Sequence, residues 1–428
     1  MMPVAGGGWP NEADVFARYE SRVRSYSRQF PLVFARAVGS KLWDSSGRCY
    51  LDFLAGAGAL SYGHNNAVLK QALIDYIAQD GVATSLDLYT VAKAKFLQTL
   101  QSTILAPRGL EYVVQFTGPT GTNAVEAALK IARRATRRTD IVFFKGGFHG
   151  VSLGSLAVTG NKVCREGAGV RLGNSLEAPY VGDLGPGGDT IAFLEELFSK
   201  RSAMGSLPAG VIVECIQGEG GLRAASVEWL RRLEAACRRW GVVLIVDDIQ
   251  AGCGRAGTFF SFEAAGITPD VITLSKSLSG YGIPISLVLL QRSVDLWQPG
   301  QHNGTFRGNN HAFVTATAMI NEYWRTPAFS NSVLDKAVYL RKRLQALLDR
   351  FAPHIAEITG RGMMLGVVCA NADFAARVSA RAFQLGLIVE RSGLEDEVIK
   401  CMMPLVTPYS ELDEGIDILH EAFAKESP

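Results

Sequence analysis

Lys276 stands at the end of an apolar, β-branched run, Val271-Ile272-Thr273-Leu274, with the stretch Ser277–Gly282 directly behind it. Burying an ammonium group is costly unless it is paired or loses its charge. Lys276 is therefore either a strand-end lysine that reaches water or a lysine whose lowered pKa is put to use. Asp247 and Asp248 raise a matching question, because they close the apolar run Val242–Val246. One of them should face a cation, a metal or a protonated ring nitrogen; the plainer alternatives are a helix cap or a salt bridge. None of the six histidines is spaced as a metal ligand beside this pair. Phe148-His149-Gly150 offers an aromatic face and an imidazole, suited to stacking on a planar ring or to ordinary core packing. In Phe116–Lys130, glycines and threonines open a helix pattern, where free N–H groups and the helix dipole favour an anion. It is no P-loop, since the closing Gly-Lys-Ser/Thr is missing, and no GxGxxG follows a first strand. Asn303–Asn310 is polar and glycine-rich, as in a surface loop or a ligand contact.

The elements that must position these residues follow from periodicity. From about 68 to 320, strand-like runs (112–116, 141–144, 211–216, 242–248, 271–275, 285–290) alternate with helical patterns such as 123–138 and 227–240. Such alternation predicts a mostly parallel sheet with helices on both faces. In open α/β sheets ligands sit beyond the carboxyl ends of strands. The candidate residues all follow strands, so the fold itself predicts that they converge. Residues 41–54 read as a hairpin around Asp44–Gly47. After Pro327 a long helix (332–351), shorter strands near 363–368, 387–390 and 398–402, and a final helix from Ser410, with Asp413 as a cap-like partner, predict a smaller α+β unit. The expected division is an N-terminal arm and hairpin packing with the small domain (1–67), a large domain (68–326) and a small C-terminal domain (327–428). The first dozen residues read as a mobile arm.

Composition narrows the classes of function. The chain has 428 residues, is 48% hydrophobic and carries a formal net charge of +2, with no block of five or more like charges. That excludes a broad electrostatic surface for nucleic acid or anionic membrane. The longest apolar runs are strand-sized, so no membrane span is expected. The first residues lack the basic and apolar regions of a signal peptide. Seven cysteines form no CxxC or metal-like cluster, as expected for reduced thiols in the cytoplasm.

A phosphate cradle, a ring stacker, a carboxylate and a lysine together suit pyridoxal 5′-phosphate. The lysine forms the Schiff base, the carboxylate keeps the pyridine nitrogen protonated, and the helix start holds the phosphate. Here the chain resembles a known family. Leu244–Gly257 (LIVDDIQAGCGRAG), with Lys276 following it, is similar to the signature of the class III (ornithine/ω-amino acid type) aminotransferases. The segments 120–130, 148–150, 214–221 and 304–306 match further blocks of that family, so the resemblance covers nearly the whole chain. It implies an α/β fold of the aspartate aminotransferase type (fold type I), with pyridoxal 5′-phosphate as cofactor. By position, Lys276 is implied as the Schiff-base lysine and proton shuttle, and Asp247 as the partner of the pyridine nitrogen. Gln250 is implied beside the phenolic oxygen, Phe148 on the ring with His149 nearby, and Gly121 and Thr122 at the phosphate. Thr305 is implied at the phosphate of a partner subunit, which makes a homodimer the minimal active unit and leaves a tetramer open. Glu219 sits where the family has a carboxylate that gates substrate binding.

Within the family, RVRSYSRQFPLVF, FLAGAGALSYGHNN, GSLAVTGN and HNGTFRGNN resemble the diaminobutyrate–2-oxoglutarate subgroup. That implies ping-pong transfer of the terminal amino group of L-2,4-diaminobutyrate to 2-oxoglutarate, or the reverse. Some positions depart from the wider pattern. Lys400 in VIKCMMPLV stands where ornithine-type members have the arginine that pairs with the gate, Val151 replaces a common arginine, and Thr84 stands where the subgroup has histidine. Lysine lacks arginine's bidentate fork. The alternatives are another amine, an epimerase, lyase or aminomutase of the same fold, and a non-catalytic scaffold, against which the intact Lys276 and Asp247 argue.

Overall fold

The computed structural model describes residues 12–427. Of the expected arm, residues 1–11 therefore lie outside the described residues. At the centre is a seven-stranded sheet. Its strands, in chain order, are β1 (Tyr112–Phe116), β2 (Ile141–Phe144), β3 (Ser175–Ala178), β4 (Gly210–Val213), β5 (Val243–Asp247), β6 (Val271–Leu274) and β7 (Leu287–Gln291). The spatial order is β1-β7-β6-β5-β4-β2-β3. Strands β3, β2, β4, β5 and β6 run parallel, whereas β7 is antiparallel to both β6 and β1. Every residue of β2, β4, β5 and β6 is buried, as continuous apolar strands covered on both faces must be.

Side chains alternate between the two faces. Ile141, Phe143, Ile212, Ile245 and Val271 pack with the helix α1 (Gly121–Thr136), while Val142, Phe144, Val211, Val213, Leu244, Val246 and Ile272 join the core on the other side. The helix α2 (Val227–Trp240) covers that second face and ends in left-handed Gly241.

The C-terminal region builds a four-stranded antiparallel sheet from β8 (Ile355–Arg361), β9 (Met364–Cys369), β10 (Glu390–Ser392) and β11 (Val398–Cys401), in the order β8-β9-β11-β10. Helices Ala328–Arg350, Ala372–Leu385 and Tyr409–Glu426 contribute to its core, together with Leu51 and Phe53 from the N-terminal segment. A third sheet joins strands Phe34–Val38, Lys41–Asp44 and Cys49–Asp52 to Leu387–Ile388.

Some local expectations change. The strand expected over 211–216 stops at Val213 because the chain turns at Glu214, whose carboxylate accepts the Gly218 N–H at 3.0 Å. Strands 34–38 and 175–178 escaped sequence reading; both are short and partly exposed, with weak alternation. The final helix has Pro408 at its N-cap and no side-chain cap. Asp413 instead accepts from Tyr339 and Arg343, because an ion pair to the neighbouring long helix competes for it. Five cysteines are buried, whereas Cys49 is exposed and Cys164 half-buried.

Candidate active site

The carboxyl ends of β1, β2, β4, β5 and β6 open onto one cavity of about 210 Å³. Lys276, Asp247, Phe148, His149, Gln250, Glu219, Gly121 and Thr122 all line it. Gly150, Glu214 and Ile249 complete its wall. A neighbouring cavity of about 410 Å³ shares Phe148 and Glu219 and extends past Lys145, Lys162 and Arg165. Thr305 lies outside both, exposed on the Asn303–Asn310 loop. Lys400 lies behind Glu219, fully buried.

Lys276 follows β6 directly and has φ +48°, a left-handed backbone that a non-glycine residue adopts only where its surroundings impose it. Burial is the main influence on its amine and lowers the pKa from the ordinary value; Glu219 pulls it back and Lys400 pushes it down further. Lys276 thus presents a partly desolvated amine to the cavity.

Asp247 ends β5 and is held from several directions. Its Oδ2 meets His149 Nδ1 at 2.7 Å, and its Oδ1 accepts from Thr273 Oγ1 at 3.0 Å and from the Ile249 N–H at 3.2 Å. Parallel pairing of β5 with β6 places Thr273 opposite Asp247. Burial opposes a charge on His149, yet its bond to Asp247 prevails and raises its pKa. Asp248 points the other way. It accepts the Ser261 N–H at 3.0 Å, and burial pushes its carboxyl up to about 7. Burial likewise lifts Glu214 to about 7. Glu214 also accepts the Phe148 N–H at 2.9 Å, so one carboxylate ties the ring-bearing loop to the loop of Glu219.

The helix α1 begins at Gly121, and its free N–H groups face the cavity beside Thr122. Thr122 Oγ1 is bonded to Ser152 Oγ at 2.7 Å and Ser155 Oγ at 2.5 Å. At the opposite end, Lys400 Nζ lies 2.7 Å from Glu219 Oε1 and 3.0 Å from Glu390 Oε2. Burial disfavours the ammonium form of Lys400, but the two glutamates outweigh it and hold the pKa well above the ordinary lysine value.

The sequence profile described as Aminotransferase class-III matches residues 23–423. The chain belongs to the class-III aminotransferases. It is 52% identical over 406 residues to the diaminobutyrate–2-oxoglutarate transaminase of Vibrio cholerae, covering 95% of this chain and 98% of that one. It is 50% identical over 411 residues to the protein of the same name from Halomonas elongata, covering 95% and 98%. Among solved structures, the ornithine aminotransferase of Toxoplasma gondii superposes with a TM-score of 0.84 at 25% identity, over 96% of this chain and 94% of that one. The fold is thus fold type I, with the large mixed sheet and the C-terminal unit of that architecture.

A class-III aminotransferase works with pyridoxal 5′-phosphate, and the cavity fits that group. Gln250 Oε1 is buried and has no partner among the described residues, while the amide nitrogen is engaged by Ala57 O at 3.1 Å. A Cβ at Gly121 would stand 3.1 Å from Ile249 Cδ1, so glycine keeps the helix start open. A carboxylate braced by an imidazole suits a protonated ring nitrogen, and a half-buried amine suits an aldehyde. Nothing in the sequence assigned a role to Glu214, Thr273, Glu390 or Tyr26. The pairing of Thr273 and Glu390 with their partners depends on strand register, for which no local signal exists.

Proposed function

We propose that this class-III aminotransferase transfers the terminal amino group of L-2,4-diaminobutyrate to 2-oxoglutarate, giving L-aspartate 4-semialdehyde and L-glutamate, and reversibly so. The observation that carries this is the pair of relatives bearing that name at 50% identity or more over 95% of this chain. The Lys400–Glu219 contact fits the same task, since two unlike substrates must use one pocket in turn.

Pyridoxal 5′-phosphate, when bound, supplies the carbonyl that takes up the amino group and a ring that withdraws electrons from the substrate carbon. The protein does the rest. Lys276 Nζ would take the proton from the amine-bearing C4 of the donor and pass it to the carbon that was the cofactor's aldehyde carbon, a role that its burial-lowered pKa favours. Asp247, fixed by His149 and Thr273, would pair with the ring nitrogen. Gly121 and Thr122 would hold the phosphate at the start of α1, Phe148 would cover the ring, and Gln250 would lie by the phenolic oxygen. Glu219 shields Lys400 from the amine donor and moves aside when a carboxylate of 2-oxoglutarate needs the cation.

The assignment extends to a cytoplasmic homodimer in which Thr305, exposed on its loop, completes the phosphate site of the partner. The deciding experiment is a half-reaction. The loaded enzyme mixed with L-2,4-diaminobutyrate, without a 2-oxo acid, should lose its visible cofactor band rapidly. Persistence of that band, with bleaching by ornithine or 4-aminobutyrate instead, would overturn the substrate and leave the family intact. Lys400→Ala should slow the 2-oxoglutarate half-reaction roughly a hundredfold, while the amine half changes far less. Equal damage to both halves would refute the gate.

A further inference from the structure

The gate contains one more acid than it needs. Glu390 lies on β10 directly across the antiparallel register from Lys400 on β11. Its Oε2 is 3.0 Å from Lys400 Nζ, and its Oε1 accepts from Tyr26 Oη at 2.5 Å. Glu390 and Lys400 are both buried, whereas the side chain of Glu219 is 27% exposed and sits on the loop after β4. One lysine therefore faces two carboxylates held in unlike ways. Strand pairing sets Glu390 beside Lys400, whereas Glu219 reaches it from a loop and is partly exposed.

We propose that Glu390 is a specificity-determining residue, which gives the resting gate one net negative charge and keeps Lys400 in place when Glu219 leaves. The inference rests on the diaminobutyrate assignment and states what selects that donor. A substrate bearing an α-ammonium as well as a carboxylate at its far end meets a site with an excess acid. An ω-amino acid without the α-ammonium does not gain that attraction. When Glu219 moves away, Lys400 and Glu390 remain as a neutral pair, and Lys400 still presents an N–H to the carboxylate of 2-oxoglutarate. The net change between the two states of the gate is one charge, matched to the difference between a zwitterionic and an anionic far end.

The test uses the loaded enzyme and dissociation constants from separate half-reactions. L-2,4-diaminobutyrate is compared with 4-aminobutyrate, which has the same chain and carboxylate but no α-ammonium, and with 2-oxoglutarate. Glu390→Gln should reduce the preference for diaminobutyrate over 4-aminobutyrate about tenfold and tighten 2-oxoglutarate by a similar factor. Glu390→Asp, which keeps the charge, should retain the wild-type preference. A purely structural role would weaken all three ligands together, and that result, or no change, overturns the proposal. Tyr26→Phe, at a half-exposed residue, removes the hydroxyl that donates to Glu390 and should raise the preference for diaminobutyrate. If Glu390→Gln gives no soluble enzyme, Tyr26→Phe decides, and an unchanged or lowered preference counts against the proposal. Failure of the wild-type enzyme to react with diaminobutyrate sinks the substrate assignment alone. The charge effect is then read on ornithine against 5-aminopentanoate.

Discussion

At the scale of single residues, the site is built from groups whose charge the fold has moved. Lys276 is pushed down by burial, Lys400 is held up by two acids, and Glu214 is lifted to about 7 by burial. The last has a consequence for stability. A carboxyl whose folded pKa lies above its unfolded value binds more protons in the folded state. Its stabilising effect is complete below about pH 4.5 and is lost as the pH rises to about 7, a swing of up to about 3 kcal/mol. Asp248, also at about 7, acts in the same direction. Glu214→Gln should therefore flatten the fall in melting temperature of the cofactor-free protein between pH 5 and pH 7. An unchanged slope would show that Glu214 is not the titrating group. Lys276 and Asp247 were legible in the sequence because each ends an apolar run, and Glu219 only through the family resemblance. Thr273 and Glu214 were not, since a threonine in a strand and a glutamate after one are unremarkable until their partners are known.

At the scale of elements, the start of α1 places the free N–H groups of a helix N-terminus at the cavity wall. Asn123 Oδ1 accepts from the Thr120 N–H at 3.2 Å and from its hydroxyl at 2.8 Å, folding the Thr120 turn back onto the first helical turn. That bond leaves the N–H groups of Gly121 and Thr122 for a phosphate. Asn123→Ala should cost about 1 kcal/mol at this cap. It should raise the dissociation constant for pyridoxal 5′-phosphate by roughly fivefold to tenfold in equilibrium dialysis, with kcat at saturating cofactor little changed. A drop in kcat without weaker cofactor binding would contradict this. Helices α1 and α2 were readable within about two residues because amphipathic spacing sets a helix locally. The short edge strands 34–38 and 175–178 were not, because strand pairing depends on chain far away in sequence.

For the whole molecule, Arg255 joins what the sequence could only separate. It is fully buried, and burial lowers its pKa to about 10. Its Nη1 reaches Met363 O at 3.1 Å and Met403 O at 2.5 Å, and its Nη2 reaches Ser61 Oγ at 2.9 Å. One guanidinium thus bridges the loop after β5, the C-terminal sheet region and the N-terminal segment. Arg255→Lys cannot span these acceptors from a single ammonium. It should lose about 3 kcal/mol of stability, leaving buried carbonyls without donors. In urea unfolding, the midpoint should fall and the single transition should broaden or split. A variant as stable as the wild type would show that the bridge is dispensable.

The sequence by itself determined the alternation that makes an α/β sheet, the placement of polar residues after strands, and the family to which those residues point. Each of these depends on neighbours along the chain: side-chain period, turn residues and motif spacing. The tertiary structure alone decided who meets whom. That His149 braces Asp247, that Glu214 clamps the Phe148 and Gly218 backbones, and that Lys400 stands between Glu219 and Glu390 all depend on strand register and on chain segments brought together over long separations. Burial then set their charges, because the loss of water around a group is a property of the packed whole and not of its neighbours in sequence.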